Sequence, residues 1–465
     1  MKRMLFVFAI LLSVVMPSFA AEFQCGQASA DITPPVPYRL RGYFSERPST
    51  AIHDPLNAKA IVFRQGNVQA ALVMLDLTAV PRSITDVVRR DASKATGIPV
   101  EAIIVSATHS HTAPLFNNSV RDYLHNQAVK KYGKDKLEEF DYPKYLIENA
   151  TKAIVQAHAA LKASDLGFMS IEAPPVAFNR RYFMKNSTDV KCNPGIKNPN
   201  VIKPAGPIDP RLSVLFISDS GSKTPKASLT NFALHLDTTG GTLVSADYPF
   251  YLEEVLKSKY GEKFLSIFGN GTCGDINHFD VSGKNPRRKA PEIGQLLGDA
   301  IVATADKETK PLTTSLATAC KVAVCPQVAF TEEETKEAFA HQGEMLSGAN
   351  KKLTLAERMK IEKATTIAGT PRNLPFDIVA IRLSNDTAIV ALPGEIFVES
   401  GLAIKKASPF RNTIVIELSQ DDVGYIPTLK ATKEGSYEVY CNRFEPGAAE
   451  ILVKTAIEAL EAVKP

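Results

Sequence analysis

Three stretches of this chain share one plan, and that plan limits what it can fold into. "NAKAIVFRQGNVQAALVMLDL" carries an apolar run, a Gln-Gly-Asn turn and a second run ending at Asp76. "RLSVLFISDSGSKTPKASLTNFALHLD" repeats it, with the second run ending at His235. "FDIVAIRLSNDTAIVALPGE" repeats it again around a Ser-Asn-Asp turn, ending at Glu395. Short apolar runs bounded by turn residues predict paired strands. Helical spacing of apolar residues predicts helices over 83–96, 137–162, 249–259, 290–305 and 446–462. The charged, Ala-rich stretch 331–368 predicts a pair of exposed helices, opened by a capping box of Thr331 and Glu334. Strands and helices alternate throughout, so the expected class is α/β (mixed α+β), with sheets of hairpin-like strand pairs covered by helices. Composition agrees: 45% hydrophobic and 22% charged residues sustain a full core and exclude a disordered chain. Residues 186–210, rich in Pro, Asn and Gly, read as a long ordered loop or lid. No linker divides the rest, so one large domain over 21–465 is expected.

The first residues, "MKRMLFVFAILLSVVMPSFAAEFQ", combine a basic start, an apolar stretch from Leu5 to Val15 and a small-residue cleavage pattern. They predict a secretory signal over 1–20, cut near Ala20 or Ala21, and export to the periplasm or beyond. No later stretch has the ~18 consecutive apolar residues of a membrane span. The net charge is +4, and Lys2 and Arg3 in the signal contribute two of these charges. Such a balance argues against nucleic acid or an anionic membrane as partner. There are six cysteines and no CxxC pair, which disfavours a thiolate zinc site and thioredoxin-like chemistry. Export permits disulfides, and Cys320 and Cys325 are close enough in sequence to pair across a short turn. Oligomeric state is not legible.

The unusual polar residues fall at the ends of β-like runs. His109 and His111, in "IVSATHSHTAPLF", follow the run ending at Val105; His235, Glu395 and Tyr425 close three others. Strand ends are rigid and loops there shape pockets. Two histidines, a carboxylate and one more oxygen suit zinc. Histidines at i and i+2 on an extended chain face the same side, so both reach one site. Each residue also has a plain reading: His235 as a hydrogen-bonded structural residue, and Glu395 as a charge at the start of the helix that follows.

These segments resemble motifs of the neutral (non-lysosomal) ceramidase family. "ATHSHTAP" is similar to its THTHS-type motif, and "FALHLDTTGGTLVSADYP" to its second histidine segment. "AFNRRY", "FGNGTCGDINHFD", "LPGEIFVESGLAIKKA" and "DDVGYIPTLKATKEGSYEVYCNRFEPGAAEIL" resemble four further family motifs, in family order. The resemblance implies zinc held by His109, His235, Glu395 and Tyr425, with His111 and Arg180 catalytic or polarising the substrate. It implies hydrolysis of an N-acyl (amide) linkage by metal-activated water, on a lipid or small-molecule substrate such as ceramide. His111 would serve as general acid or base, and Arg180 would stabilise the developing oxyanion.

The chain also departs from the family. Asn277 stands where ceramidases have a serine assigned as a nucleophile, so a covalent serine mechanism is not expected. Phe444 replaces a tyrosine whose hydroxyl would touch the reacting centre. "LKATKEGS" is an insertion, and the chain's end at Pro465 leaves no room for the family's C-terminal β-sandwich. The alternatives are a zinc hydrolase of another bond or non-lipid substrate, and a non-catalytic binding protein with a degenerate site. Among other polar residues, His53 is expected in a structural turn and His278 and Asp280 in loop structure. Asp247 is expected to cap the helix after it rather than to orient His235. His125, His158 and His341 are expected at the surface.

Overall fold

The computed structural model describes residues 21–43, 45–346 and 353–465; the expected signal segment lies outside the described residues. Among these, two sheets dominate. The larger holds β1 (Phe23–Asp31), β2 (Asn57–Gln65), β3 (Val68–Leu75), β4 (Ile103–Ala107), β5 (Lys162–Glu172), β6 (Arg211–Asp219), β7 (Ala227–Phe232) and β8 (Leu265–Asn270). Their order is β8-β7-β6-β5-β1-β2-β3-β4, with Lys310–Pro311 added beside β5. The smaller sheet is β9 (Thr314–Pro326), β10 (Asn373–Ser384), β11 (Thr387–Ala391) and β12 (Asn412–Ile416), in that order.

All three expected hairpins form: β2 with β3, β6 with β7, and β10 with β11, each antiparallel. Each hairpin then pairs its second strand in parallel with a strand reached through a helix: β3 with β4, β7 with β8, and β11 with β12. Parallel strands need such crossovers, and their carboxyl ends share one edge. The sheets meet at that edge. Ser106 bridges Ser419, the Ala107 N–H donates to the Leu418 carbonyl, and the Glu417 N–H donates to the Asn270 carbonyl. One apolar cluster runs across the junction, including Val105, Ile267, Ile381 and Ile416. Two further cores lie under the helices on either side.

Helices cover both sheets: α1 (Arg82–Thr96), α2 (Ser119–Tyr132), α3 (Tyr142–Ala159), α4 (Tyr248–Tyr260), α5 (Ala290–Glu308), α6 (Glu332–Leu346), α7 (Leu355–Ile367), α8 (Val398–Ala407), α9 (Leu429–Glu434), α10 (Tyr437–Cys441) and α11 (Ala448–Ala462). The five expected single helices are present. The one expected over 137–162 begins later, because Asp141 caps it by accepting from the Lys144 N–H and Pro143 follows in the first turn. Thr331 and Glu334 form the capping box at the start of α6. The pair α6 and α7 is less exposed than the sequence implied, since α7 buries Met359, Ala364 and Thr365. Helix α2, capped by Asn118, was not anticipated; its residues show no apolar stripe and none is fully buried.

Residues 186–210 form an ordered excursion whose short strands, Lys191–Cys192 and Val201–Pro204, flank Arg181–Met184 in a small sheet. Cys320 and Cys325, close enough in sequence to pair across a short turn, do not pair. Both cysteines lie on the continuous strand β9 and both are free. An offset of five positions along extended chain separates them by roughly 16 Å and turns them to opposite faces.

Candidate metal centre

The carboxyl-end edge gathers the residues singled out from the sequence. His109 lies two residues beyond β4 and His235 three beyond β7. Glu395 and Tyr425 sit side by side because Glu395–Ile396 pairs in parallel with Tyr425–Ile426. Neighbouring residues of such a pair project to the same face.

The imidazoles are fixed from behind. His109 Nδ1 lies 2.8 Å from the Thr78 carbonyl oxygen, and His235 Nδ1 lies 3.0 Å from that of Cys273. A carbonyl only accepts, so each Nδ1 carries the proton and each Nε2 presents a lone pair. Those two Nε2 atoms are 3.1 Å apart. Two lone pairs at that distance repel unless a cation lies between them. Glu395 Oε2 closes the same point, 3.3 Å from His109 Nε2 and 3.6 Å from His235 Nε2. That oxygen is buried and, among the described residues, no donor is aligned with it. The donor set thus fits a cation: facing lone pairs and an orphaned carboxylate oxygen, with backbone carbonyls holding both rings in the ligating tautomer.

The loops are shaped for this. His109 adopts φ 88°, a conformation rare outside glycine, while its N–H donates to the Leu77 carbonyl. Gly274 lies so close behind Glu395 that a Cβ there would come 2.7 Å from the Glu395 carbonyl oxygen. Glu417, fully buried, joins the two sides. One carboxylate oxygen accepts from the Cys273 N–H at 3.1 Å and the other from the Ile396 N–H at 2.7 Å.

His111 Nε2 lies 3.3 Å from His109 Nε2, so distance alone places His111 within the ligand cluster. Its anchoring differs. Among the described residues no group holds its Nδ1, and its ring faces the cavity against the edge of Tyr43. Burial and the neighbouring His109 push its pKa down to about 4. Arg180 is buried with Nε on Glu438 Oε1 at 2.8 Å and one terminal nitrogen on the Gly274 carbonyl at 2.6 Å. Its other terminal nitrogen, Nη1, faces His235 Nε2 at 3.4 Å. Tyr425 stacks parallel on His235, ring centroids 6.5 Å apart, and the Arg180 guanidinium lies 5.3 Å from the Tyr425 ring centroid. All six residues named from the sequence therefore share one site.

A cavity of about 340 Å³ opens onto this cluster. Its walls include Arg41, Tyr43, Leu115, Asn117, Met359, Glu362, Lys363, Asp422 and Arg443. Gly42 lets the chain pass over His111, where a Cβ would sit 2.6 Å from the His111 Cβ. No serine lines the cavity among the described residues. Asn277 is buried outside it, donating its side-chain amide to Asn193 and accepting from the Phe279 N–H.

Phe444 corrects an expectation. It is buried against Phe376, ring centroids 5.8 Å apart, in the core beneath α11, so a hydroxyl there would not reach the centre. Its neighbour Arg443 lines the cavity instead. His53 pairs with Asp54 away from the site. His278 Nδ1 lies 3.3 Å from Asp237 Oδ1, and Asp280 organises its own loop through Ser282 and Asn285. Asp247 caps α4, accepting from the Tyr248 N–H. His125 is not a plain surface residue: half-buried, it joins Asp135 and Glu138 in a network with Arg39 and Arg121.

Residues 23–286 match the family model described as neutral/alkaline non-lysosomal ceramidase, N-terminal. That span includes His109, His111, Arg180 and His235; Glu395 and Tyr425 lie beyond it. The fold is similar to that of the neutral ceramidase from Pseudomonas aeruginosa, with TM-score 0.73 and 18% identity over 96% of this chain and 75% of that one. It is also similar to a ceramidase complexed with C2, with TM-score 0.71 and 18% identity over 96% of this chain and 76% of that one. No curated protein sequence matches the chain.

Proposed function

Because the chain belongs to the neutral/alkaline non-lysosomal ceramidase family, we propose that it is a zinc-dependent hydrolase of an N-acyl amide bond, acting on a ceramide or another N-acylated amine. The observation that carries this reading is the closure of His109, His235 and Glu395 around one point with both histidines held in the ligating tautomer. His109, His235, Glu395 and Tyr425 would hold the zinc. When bound, it would supply Lewis acidity to the scissile carbonyl and to the attacking water.

The chain's own residues account for the rest. In amide hydrolysis the acyl carbon gains an oxygen from water, the C–N bond breaks, and the amine leaves with a proton. His111, facing the cavity and unanchored at Nδ1, is placed to take a proton from water and return it to the leaving nitrogen. Arg180 is clamped by Glu438 and Gly274 with Nη1 turned inward, so a fixed cationic donor meets the charge that develops on the carbonyl oxygen. Among the described residues the cavity offers no serine for an acyl-enzyme, which favours direct attack by water. Retention of this donor set argues against a degenerate binding module.

The test is hydrolysis of a fluorescent N-acyl sphingosine alongside a panel of simple N-acyl amines and esters. Cleavage of an amide, abolished by His109→Ala, supports the reading; ester cleavage alone overturns it. In this reading the chain is also exported, and N-terminal sequencing of the mature protein should start near Ala21.

A further inference from the structure

Cations crowd the cavity that opens onto the metal cluster. Arg41, Lys363 and Arg443 line it together with Asp422 and Glu362. Asp422 is committed to Arg41, with Oδ2 accepting from Nη1 at 2.5 Å. Arg443 donates to the main-chain carbonyl oxygen of Asp422 at 2.8 Å and lies 5.8 Å from the Phe444 ring centroid. The Arg443 Nε is buried and has no hydrogen-bond partner among the described residues. Lys363 forms no ion pair among the described residues, and burial pushes its ammonium pKa down. Burial likewise pushes the Arg443 guanidinium down, against the pull of Asp422 and Asp421. The remaining acid, Glu362, is pushed up by burial against the pull of Arg41 and Arg358, which weakens it as a counter-charge.

A half-buried guanidinium whose Nε is buried with no acceptor, and which forms no ion pair among the described residues, is short of a partner, and its planar fork of N–H donors matches a carboxylate. The volume points the same way. About 340 Å³ is at the small end of ligand cavities, which run from roughly 300 to 1,000 Å³.

We propose that the cavity selects a small N-acyl substrate bearing a carboxylate, an N-acyl amino acid, whose carboxylate is received by Arg443 in a cavity that Lys363 also lines. This rests on the hydrolase reading above for the position of the scissile amide, and it replaces the uncharged headgroup of ceramide with an anion. Arg443 is then a specificity-determining residue. Its backbone position follows α10, which also carries Tyr437 and Cys441 into the same cavity.

The test uses the full chain with its metal and two stable mimics, hexanesulfonylglycine and hexanesulfonylglycinamide, in which a sulfonamide replaces the scissile amide. Calorimetric titration should show the carboxylate binding at least about tenfold tighter than its neutral amide. In Arg443→Gln that ratio should fall to within about twofold, and Arg443→Lys should recover part of it. Equal or tighter binding of the neutral mimic by the unmodified protein overturns the proposal, and that comparison needs no variant to fold. An unchanged ratio in folded Arg443→Gln also overturns it. Cleavage of N-hexanoylglycine separates the two readings. Preference without cleavage of this or any other amide tested leaves the anion site standing and removes the hydrolase; cleavage of neutral amides without preference does the reverse.

Discussion

The Nε2 atoms of His109 and His235 face each other across 3.1 Å, each ring held from behind by a backbone carbonyl. Neither nitrogen carries a proton in that arrangement, so the pair is built to share a third partner. Glu395 Oε2, buried and without an aligned donor among the described residues, points at the same place.

The two kinds of histidine should separate by variant. His235→Ala removes an anchored ligand and should lose the metal. His111→Ala should keep the metal and lower kcat by roughly 10²- to 10⁴-fold, the range for a general acid–base group. Metal content and kcat measured on the same preparations check this. Loss of metal in His111→Ala would make His111 a ligand instead.

Glu438 is fully buried and bridges two arginines, Arg180 Nε at 2.8 Å and Arg181 Nη1 at 3.1 Å. Glu438→Ala leaves both cations buried without it, and should destabilise the protein by about 3–5 kcal/mol. It should also lower kcat, because it releases the clamp that aims Arg180. Urea unfolding and steady-state kinetics report the two effects separately. A variant as stable as the original would show that the bridge contributes nothing.

Asp76 gives a pH signature from a group that is not itself among the candidate ligands. Burial pushes its carboxyl from 3.8 up to about 7, with Lys59 and the Asn57 N–H pulling the other way. The folded state therefore holds this proton more tightly than the unfolded chain. Its contribution to stability is fully present below pH 3.8 and is lost as pH rises through about 7. Asp76→Asn removes the titration, so the variant should gain stability relative to the original as pH rises from 4 to 8, by as much as about 4 kcal/mol. Paired thermal melts across that range check it; a relative loss would reverse the assigned direction.

Phe444→Tyr tests where the departures from the family matter. The added hydroxyl enters a core of Phe376 and the residues beneath α11, not the cavity. It should cost about 1–3 kcal/mol as an unpaired buried polar group and leave kcat/KM of the folded protein unchanged. A rise in activity would place Phe444 at the reacting centre after all.

The sequence made the hairpins legible because both strands and their turn lie in one segment. It hid the parallel pairings of β3 with β4 and β11 with β12, which form through helices and leave no local signal. The candidate ligands were visible as polar residues at the ends of apolar runs. What fixes them was not. Thr78 and Cys273 act through carbonyl oxygens that any residue could supply, and Glu395 meets Tyr425 through a two-residue pairing across thirty positions of sequence. Glu417 and Glu438 were missed for a similar reason: each is a carboxylate in an otherwise ordinary stretch, and its partners are distant in sequence. The Cys320–Cys325 pairing failed because proximity in sequence carries no information about whether a turn or a strand intervenes.

The most direct measurement is the metal content of the purified full chain by mass spectrometry, beside that of a His109→Ala, His235→Ala, Glu395→Ala triple variant confirmed as folded by circular dichroism. The account predicts about one zinc per chain in the original and none in the variant. No metal in the original, or equal zinc in both, would contradict the site.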